Sequence, residues 1–241
     1  MSTTIFIRSY RADRFWLEYC LRSLEKFAKG FDEIVVSLPV GDEPHFDQYN
    51  FRGAKGIWYH DPKCSGYVSQ QINKIEADHY CSADYILFLD SDCFIESELR
   101  PEMFFSAGKP IMLLRHWDSL TGDVKQWKDI TEGIVGFTPM FEAMACPGLI
   151  YNRVTLQRLR AHIEHTHKKS IREYALTIQA DRMSEFNALG AIAHRFQPFL
   201  YDFRIAAPAD DGFPRNIRQQ WSYKEGGVQN HLDEYERILA R

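Results

Sequence analysis

An apolar run, Tyr85-Ile86-Leu87-Phe88-Leu89, leads directly into Asp90-Ser91-Asp92 and then into Cys93-Phe94-Ile95. Two carboxylates two positions apart in an extended segment point the same way, so Asp90 and Asp92 are expected to face a single site. At roughly 5 Å and an effective dielectric of about 20, such charges repel by about 3 kcal/mol. A hard divalent cation between them would relieve that repulsion. Magnesium or manganese, held by one or two carboxylates and completed by water and phosphate oxygens, has this chemistry. The alternative is a pair of exposed turn acids that cap the strand through local backbone bonds.

The elements that would hold these acids alternate in type. Residues 3–10, 32–39, 55–60 and 85–90 have strand composition. Between them, residues 13–30 place Trp16, Cys20, Leu24 and Phe27 at helical spacing before Gly30, and residues 67–80 are helix-compatible. Such alternation predicts an α/β fold with a mainly parallel sheet covered on both faces. Ligands of open sheets of this kind collect beyond the carboxyl ends of the strands, where Asp90 and Asp92 fall. The second half is less regular. Strands are expected at 109–117, 141–151 and 196–205, helices at 153–168 and 181–196, and a closing helix that carries Leu232, Tyr235, Ile238 and Leu239.

The composition sets limits. The 241 residues are 45% hydrophobic and 26% charged, and a net charge of -4 leaves no global basic field to draw the chain to nucleic acid or anionic lipid. A sizeable core is possible at this length. The start has no secretory pattern and no apolar run spans a bilayer, so we expect a cytoplasmic chain without an integral membrane segment. Five cysteines without a C-x-x-C pair fit neither a disulfide framework nor a zinc knuckle, and point to reduced thiols. No repeat or linker divides the chain, and one domain over residues 1–241 is expected.

The apolar strand followed by Asp90-Ser91-Asp92 resembles the D-x-D signature of GT-A type glycosyltransferases. The opening strand and helix, "IFIRSYRADRFWLEYCLRSL", and the stretch "GYVSQQINKI" with Gln70, Gln71 and Lys74 are similar to small bacterial and viral members. The resemblance implies a Rossmann-like GT-A domain, with a nucleotide-sugar-binding half at about 1–105 and an acceptor-side half at about 106–241. It implies transfer of a sugar from a nucleoside-diphosphate sugar, by default a UDP-sugar, to a hydroxyl acceptor, with Mn2+ or Mg2+ as cofactor. Asp92 would be the direct metal ligand, and Asp90 would contact the ribose or reach the metal through water. Ser9, Tyr10 and Arg11 would meet the nucleoside, with Tyr10 stacking on the base and Arg11 near phosphate; the alternative is a polar turn. Gln70, Gln71 and Lys74 share one helix face that would line the donor pocket, unless they are merely solvated. Asp61 would read base or ribose, although "HDPK" is also a good turn.

On the acceptor side, Glu185 is the expected acid or base, with Asp181 in competition; either also suits a helix N-terminus. Pro147 and Gly148 interrupt a strand in a way that lets backbone approach a donor sugar. Trp117 and Trp127 suit either ring stacking or core packing. The late histidine that many such enzymes use as a third metal ligand has no obvious counterpart, and His194, on an apolar helix, reads as structural. A saccharide acceptor ranks first. The alternative is 5-hydroxymethylpyrimidine DNA, gripped by the basic clusters 167–172 and 214–221. Of the other classes, a dehalogenase-type phosphatase wants a small residue where Phe94 stands, a nucleotidyltransferase wants a glycine-rich loop that "RSYRADR" lacks, and a non-catalytic binding module has no need of paired acids.

Overall fold

The computed structural model describes residues 1–179, 182–206, 216–222 and 227–241. Its first half alternates as the spacing predicts: β1 (Thr3–Arg8), α1 (Arg14–Phe27), β2 (Glu33–Pro39), β3 (Lys55–Tyr59), α2 (Gly66–Ile75) and β4 (Tyr85–Asp90). Short strands β5 (Cys93–Ile95) and β6 (Phe105–Ser106) and the longer β7 (Lys109–His116) follow, then α3 (Gln126–Val135), β8 (Phe141–Glu142) and β9 (Leu149–Asn152). The chain continues through α4 (Arg153–His167), α5 (Ile171–Ala175), α6 (Glu185–Phe196), β10 (Asp202–Ile205), β11 (Ile217–Gln219) and α7 (Leu232–Leu239).

The main sheet has the order β3-β2-β1-β4-β9, with its first four strands parallel and β9 antiparallel to β4. This is a mixed, mostly parallel α/β sheet flanked by helices. Both faces are buried, and alternation assigns the side chains. Ile5, Ile7, Leu87 and Leu89 pack under α1 with Leu17, Leu21 and Leu24. Phe6, Ile86 and Phe88 face the other way, onto Val68 and Ile72 of α2, Leu156 and Leu159 of α4, and Leu189 and Ile192 of α6. Each such buried aliphatic side chain contributes about 1.5–3 kcal/mol relative to exposure, which explains why the strands read as continuous apolar runs. The register pairs Arg8 with Asp90, so β1 and β4 end level with one another.

Several expected boundaries are corrected. The strand expected at 141–151 is two strands: β8 pairs with β7, and β9 with β4. The link between them turns at Gly148, whose φ of 76° favours glycine. The strand expected at 196–205 starts only at Asp202, because Pro198 opens a 3-10 turn. The helix expected at 67–80 ends at Ile75. The sequence pattern assigns no element to most of α3; its Ile130, Thr131 and Val135 have weak helix propensity, but packing of Ile130 and Ile134 onto α4 and α6 decides the outcome. No helix among the described residues is long and apolar enough to cross a membrane.

Candidate active site

The two acids do not lie in one extended segment as expected. β4 ends at Asp90, and a turn carries Ser91 and Asp92 before β5 begins. Their carboxylates nevertheless meet at one group. The Gln219 amide Nε2 donates to Asp90 Oδ2 at 3.0 Å and to Asp92 Oδ1 at 3.3 Å. β11 runs antiparallel to β5 with Gln219 opposite Cys93, and this places the amide beside the acids. The Ser222 backbone N–H donates to Asp92 Oδ2 at 3.0 Å. Asp13, just before α1, accepts from Ser91 Oγ at 3.0 Å and brings a third carboxylate to the neighbourhood.

Negative charge is therefore concentrated here. Asp92 is 8% exposed, and burial, followed by repulsion from Asp90, pushes its carboxyl up to about 7 against the opposing bond from Ser222. Burial likewise raises Asp13, with Asp90 adding to it and bonds from Ser91 and Ser222 opposing it.

A second layer lies beneath Asp90. Lys74 Nζ donates to Asp90 Oδ1 at 2.8 Å and to Glu185 Oε1 at 3.0 Å, and it sits 4.7 Å from the centre of the Phe186 ring. Burial acts to depress this ammonium, but Asp90 and Glu185 outweigh it and hold the group above its ordinary range. Gln71 Oε1 accepts from the Glu185 backbone N–H at 3.0 Å. Gln71 and Lys74 thus face inward and cross-link α2 to α6, while Gln70 is half-buried outside this network. Glu185 opens α6, but Ser184 supplies no side-chain cap; its hydroxyl accepts from Asn187 Nδ2 at 2.9 Å instead. Glu185 is a buried, ion-paired carboxylate. Asp181 lies outside the described residues.

At the ends of β1 and β2 the polar groups are less satisfied. Buried Arg8, which sequence reasoning missed, pairs with Asp61 Oδ1 at 3.1 Å, and Ser69 Oγ donates to the same oxygen. The Oγ atoms of Ser9 and Ser37 and the Arg8 Nε are buried without a protein partner. Tyr10 is 47% exposed, and exposed Arg11 is held by Asp42 through its backbone N–H at 2.8 Å.

The remaining candidates sit elsewhere. A Cβ on Gly148 would lie 2.6 Å from Ile217 Cδ1 and 3.7 Å from Leu89, so the close approach there is to the protein's own core. Trp117 is buried, with its indole N–H on the Pro139 carbonyl at 3.1 Å, and packs in the core. Trp127 stacks on Tyr67 with ring centres 6.5 Å apart. His194 packs edge-on against Phe141 and Phe203 and is lowered by burial, in keeping with a structural role. It also lines a cavity of about 360 Å³ with Phe137 and Met140, at the end of α6 far from Glu185. In the basic clusters, Arg172 pairs with Glu76 at 2.7 Å, and Arg218 pairs with Glu96 and Glu234.

Compared with models of known protein families and with curated proteins, the chain matches none. The geometry therefore carries the reading of the site. Among the described residues no three His, Cys, Asp or Glu side chains converge as a ready metal cage. Two hard carboxylates with excess negative charge do fit a hard divalent cation that takes most of its ligands from water and phosphate. Of the residues that sequence reasoning missed, Asp13 lies only five positions beyond β1 and Arg8 ends it. Gln219 and Ser222 carry no local signal, because their position depends on the pairing of β11 with β5.

Proposed function

We propose that the chain is a metal-dependent glycosyltransferase of GT-A type that moves a sugar from a nucleoside-diphosphate sugar, by preference a UDP-sugar, to a hydroxyl on a saccharide. The observation that carries this reading is the Asp90/Asp92 pair at the carboxyl end of a parallel strand, Asp92 buried and Asp90 half-exposed, with more negative charge than its protein partners neutralise. Asp90 and Asp92 would hold Mn2+ or Mg2+, which when bound supplies Lewis-acid stabilisation of the departing diphosphate.

The other residues have supporting tasks. The partnerless hydroxyls of Ser9 and Ser37 and the Arg8 Nε offer polar contacts to a nucleoside, and exposed Tyr10 offers a face for the base. Lys74 fixes the Asp90 carboxylate from below, so its other oxygen keeps its direction. Glu185, held by Lys74 and Gln71, lies at the rear of the same site, where its charge supports the positive character that develops at the sugar carbon. A DNA acceptor is disfavoured, because Arg172 and Arg218 of the two basic clusters are engaged in ion pairs.

The test is calorimetry of UDP with wild-type protein and with Asp92→Ala, with and without manganese. Manganese-dependent binding that Asp92→Ala abolishes is expected, since loss of a charged ligand costs several kcal/mol. Undiminished metal-dependent affinity in the variant refutes the assignment.

A further inference from the structure

The acid pair lacks a third carboxylate, histidine or cysteine placed to share a cation with it among the described residues. What it has instead is an amide. One nitrogen of Gln219 lies 3.0 Å from an oxygen of Asp90 and 3.3 Å from an oxygen of Asp92, so the side chain ends between the two groups a cation would bridge.

This placement is built by the backbone. Ile217, Arg218 and Gln219 pair in register with Ile95, Phe94 and Cys93, and the Gln220 N–H donates to the Asp92 carbonyl at 2.9 Å. Alternation along β11 turns Arg218 away, to Glu96 and Glu234, and turns Gln219 toward the acids. Ser222 then returns to Asp92 through its backbone N–H. α7 braces the pair of strands from outside, with Tyr235 stacked on Phe94 of β5 at a centroid distance of 4.0 Å and Glu234 paired with Arg218 of β11 at 2.8 Å.

An amide has two ends. Facing bare carboxylates, the NH2 end is turned inward, as the structure shows; facing a cation, a half-turn about the last side-chain torsion brings the carbonyl oxygen to the same place. Hard divalent ions accept Gln carbonyl oxygens alongside carboxylates. We propose that Gln219 is the third protein ligand of the divalent-cation site formed with Asp90 and Asp92, and that its amide rotates from donor to ligand when the cation binds. The inference rests on reading Asp90 and Asp92 as a cation site. A neutral third ligand adds no negative charge to that of the two carboxylates, one of which Lys74 already pairs, so the loaded site still accepts an anionic diphosphate.

The test measures manganese binding without nucleotide, by the spin-resonance signal of the free ion, in wild type, Asp92→Ala, Gln219→Ala and Gln219→Glu. Folding of each is checked by circular dichroism and melting temperature. We expect wild type to bind, Asp92→Ala to lose binding, and Gln219→Ala to bind about tenfold or more weakly. Gln219→Glu, which keeps an oxygen at the same reach but has no NH2, should bind at least as tightly as wild type. Equal or tighter binding by Gln219→Ala, or weakened binding by Gln219→Glu, would show that only the NH2 donor matters; it overturns the ligand role and leaves the cation site standing. Wild type that binds no manganese, or Asp92→Ala that binds as wild type does, removes the site and the ligand together. A measurement on the unaltered protein is independent of variant folding. Magnesium should shift the Gln219 side-chain amide resonances in an 15N-edited spectrum, and resonances that stay in place while other site signals move refute the rotation.

Discussion

Replacement of Lys74 by Met tests the layer beneath the acids without reference to any activity. Met keeps an unbranched apolar stem and removes only the ammonium, which bonds Asp90 at 2.8 Å and Glu185 at 3.0 Å. The Lys74 and Glu185 side chains are each 6% exposed, whereas Asp90 is 39% exposed. The loss at Asp90 is therefore screened by solvent, and the cost falls on Glu185, left charged and buried without a counterion. Breaking a buried pair in this way costs about 3–5 kcal/mol. Removing both charges should be far milder, so Lys74→Met/Glu185→Gln is expected to recover about 2–3 kcal/mol of that loss. Urea denaturation at pH 7, read as shifts in midpoint at constant slope, closes the cycle for wild type, both single variants and the double variant. A Lys74→Met loss below about 1 kcal/mol, or a double variant no more stable than Lys74→Met, refutes the reasoning, because the pair would then contribute no more than a surface ion pair.

Asp92 makes the metal-free protein sensitive to pH. Its carboxyl is raised from an ordinary 3.8 to about 7, so the folded chain holds a proton that the unfolded chain has lost, and stability should fall as pH rises through that window. The slope is at most about 1.4 kcal/mol per pH unit and should flatten in Asp92→Asn, as measured by chemical denaturation from pH 4 to 8. Gly148→Ala should destabilise by about 2–4 kcal/mol, from a left-handed backbone and a methyl 2.6 Å from Ile217 Cδ1; trimming the neighbour with Ile217→Val should recover part of this in thermal melts. Under the proposed function, Glu185→Gln should lower turnover with a UDP-sugar about a hundredfold while calorimetric UDP affinity changes little, and a near-normal rate would limit Glu185 to pairing with Lys74.

The sequence disclosed most where the signal is local. Alternating apolar runs with turn residues between them were enough to place β1 to β4, because a strand buried on both faces has few other readings. Asp90 and Asp92 were legible for the same reason: two acids that end such a run are conspicuous. The orientation of α2 was not. Gln71 and Lys74 have the spacing of one helical face, but spacing does not say whether a polar face turns to solvent or inward, and here buried Glu185 draws it in. α3 was missed because its β-branched residues and Gly133 give no strong helical preference, and its formation depends on packing against α4 and α6. Gln219 was out of reach, since one step of register along β11 would place Arg218 or Gln220 over the acids instead.

The Gln219 contact also has a place in time. Gln219 and Asp92 are 127 positions apart, so at about 5–20 residues per second a ribosome needs about 6–25 s after making Asp92 to supply the amide that covers it. β1 to β4 are complete well before then, and nothing in their pairing requires β11. The parallel sheet is thus free to form during synthesis with Asp90 held only by Lys74 and neither acid yet reached by Gln219, and the strand that joins those acids is added to a scaffold that already exists.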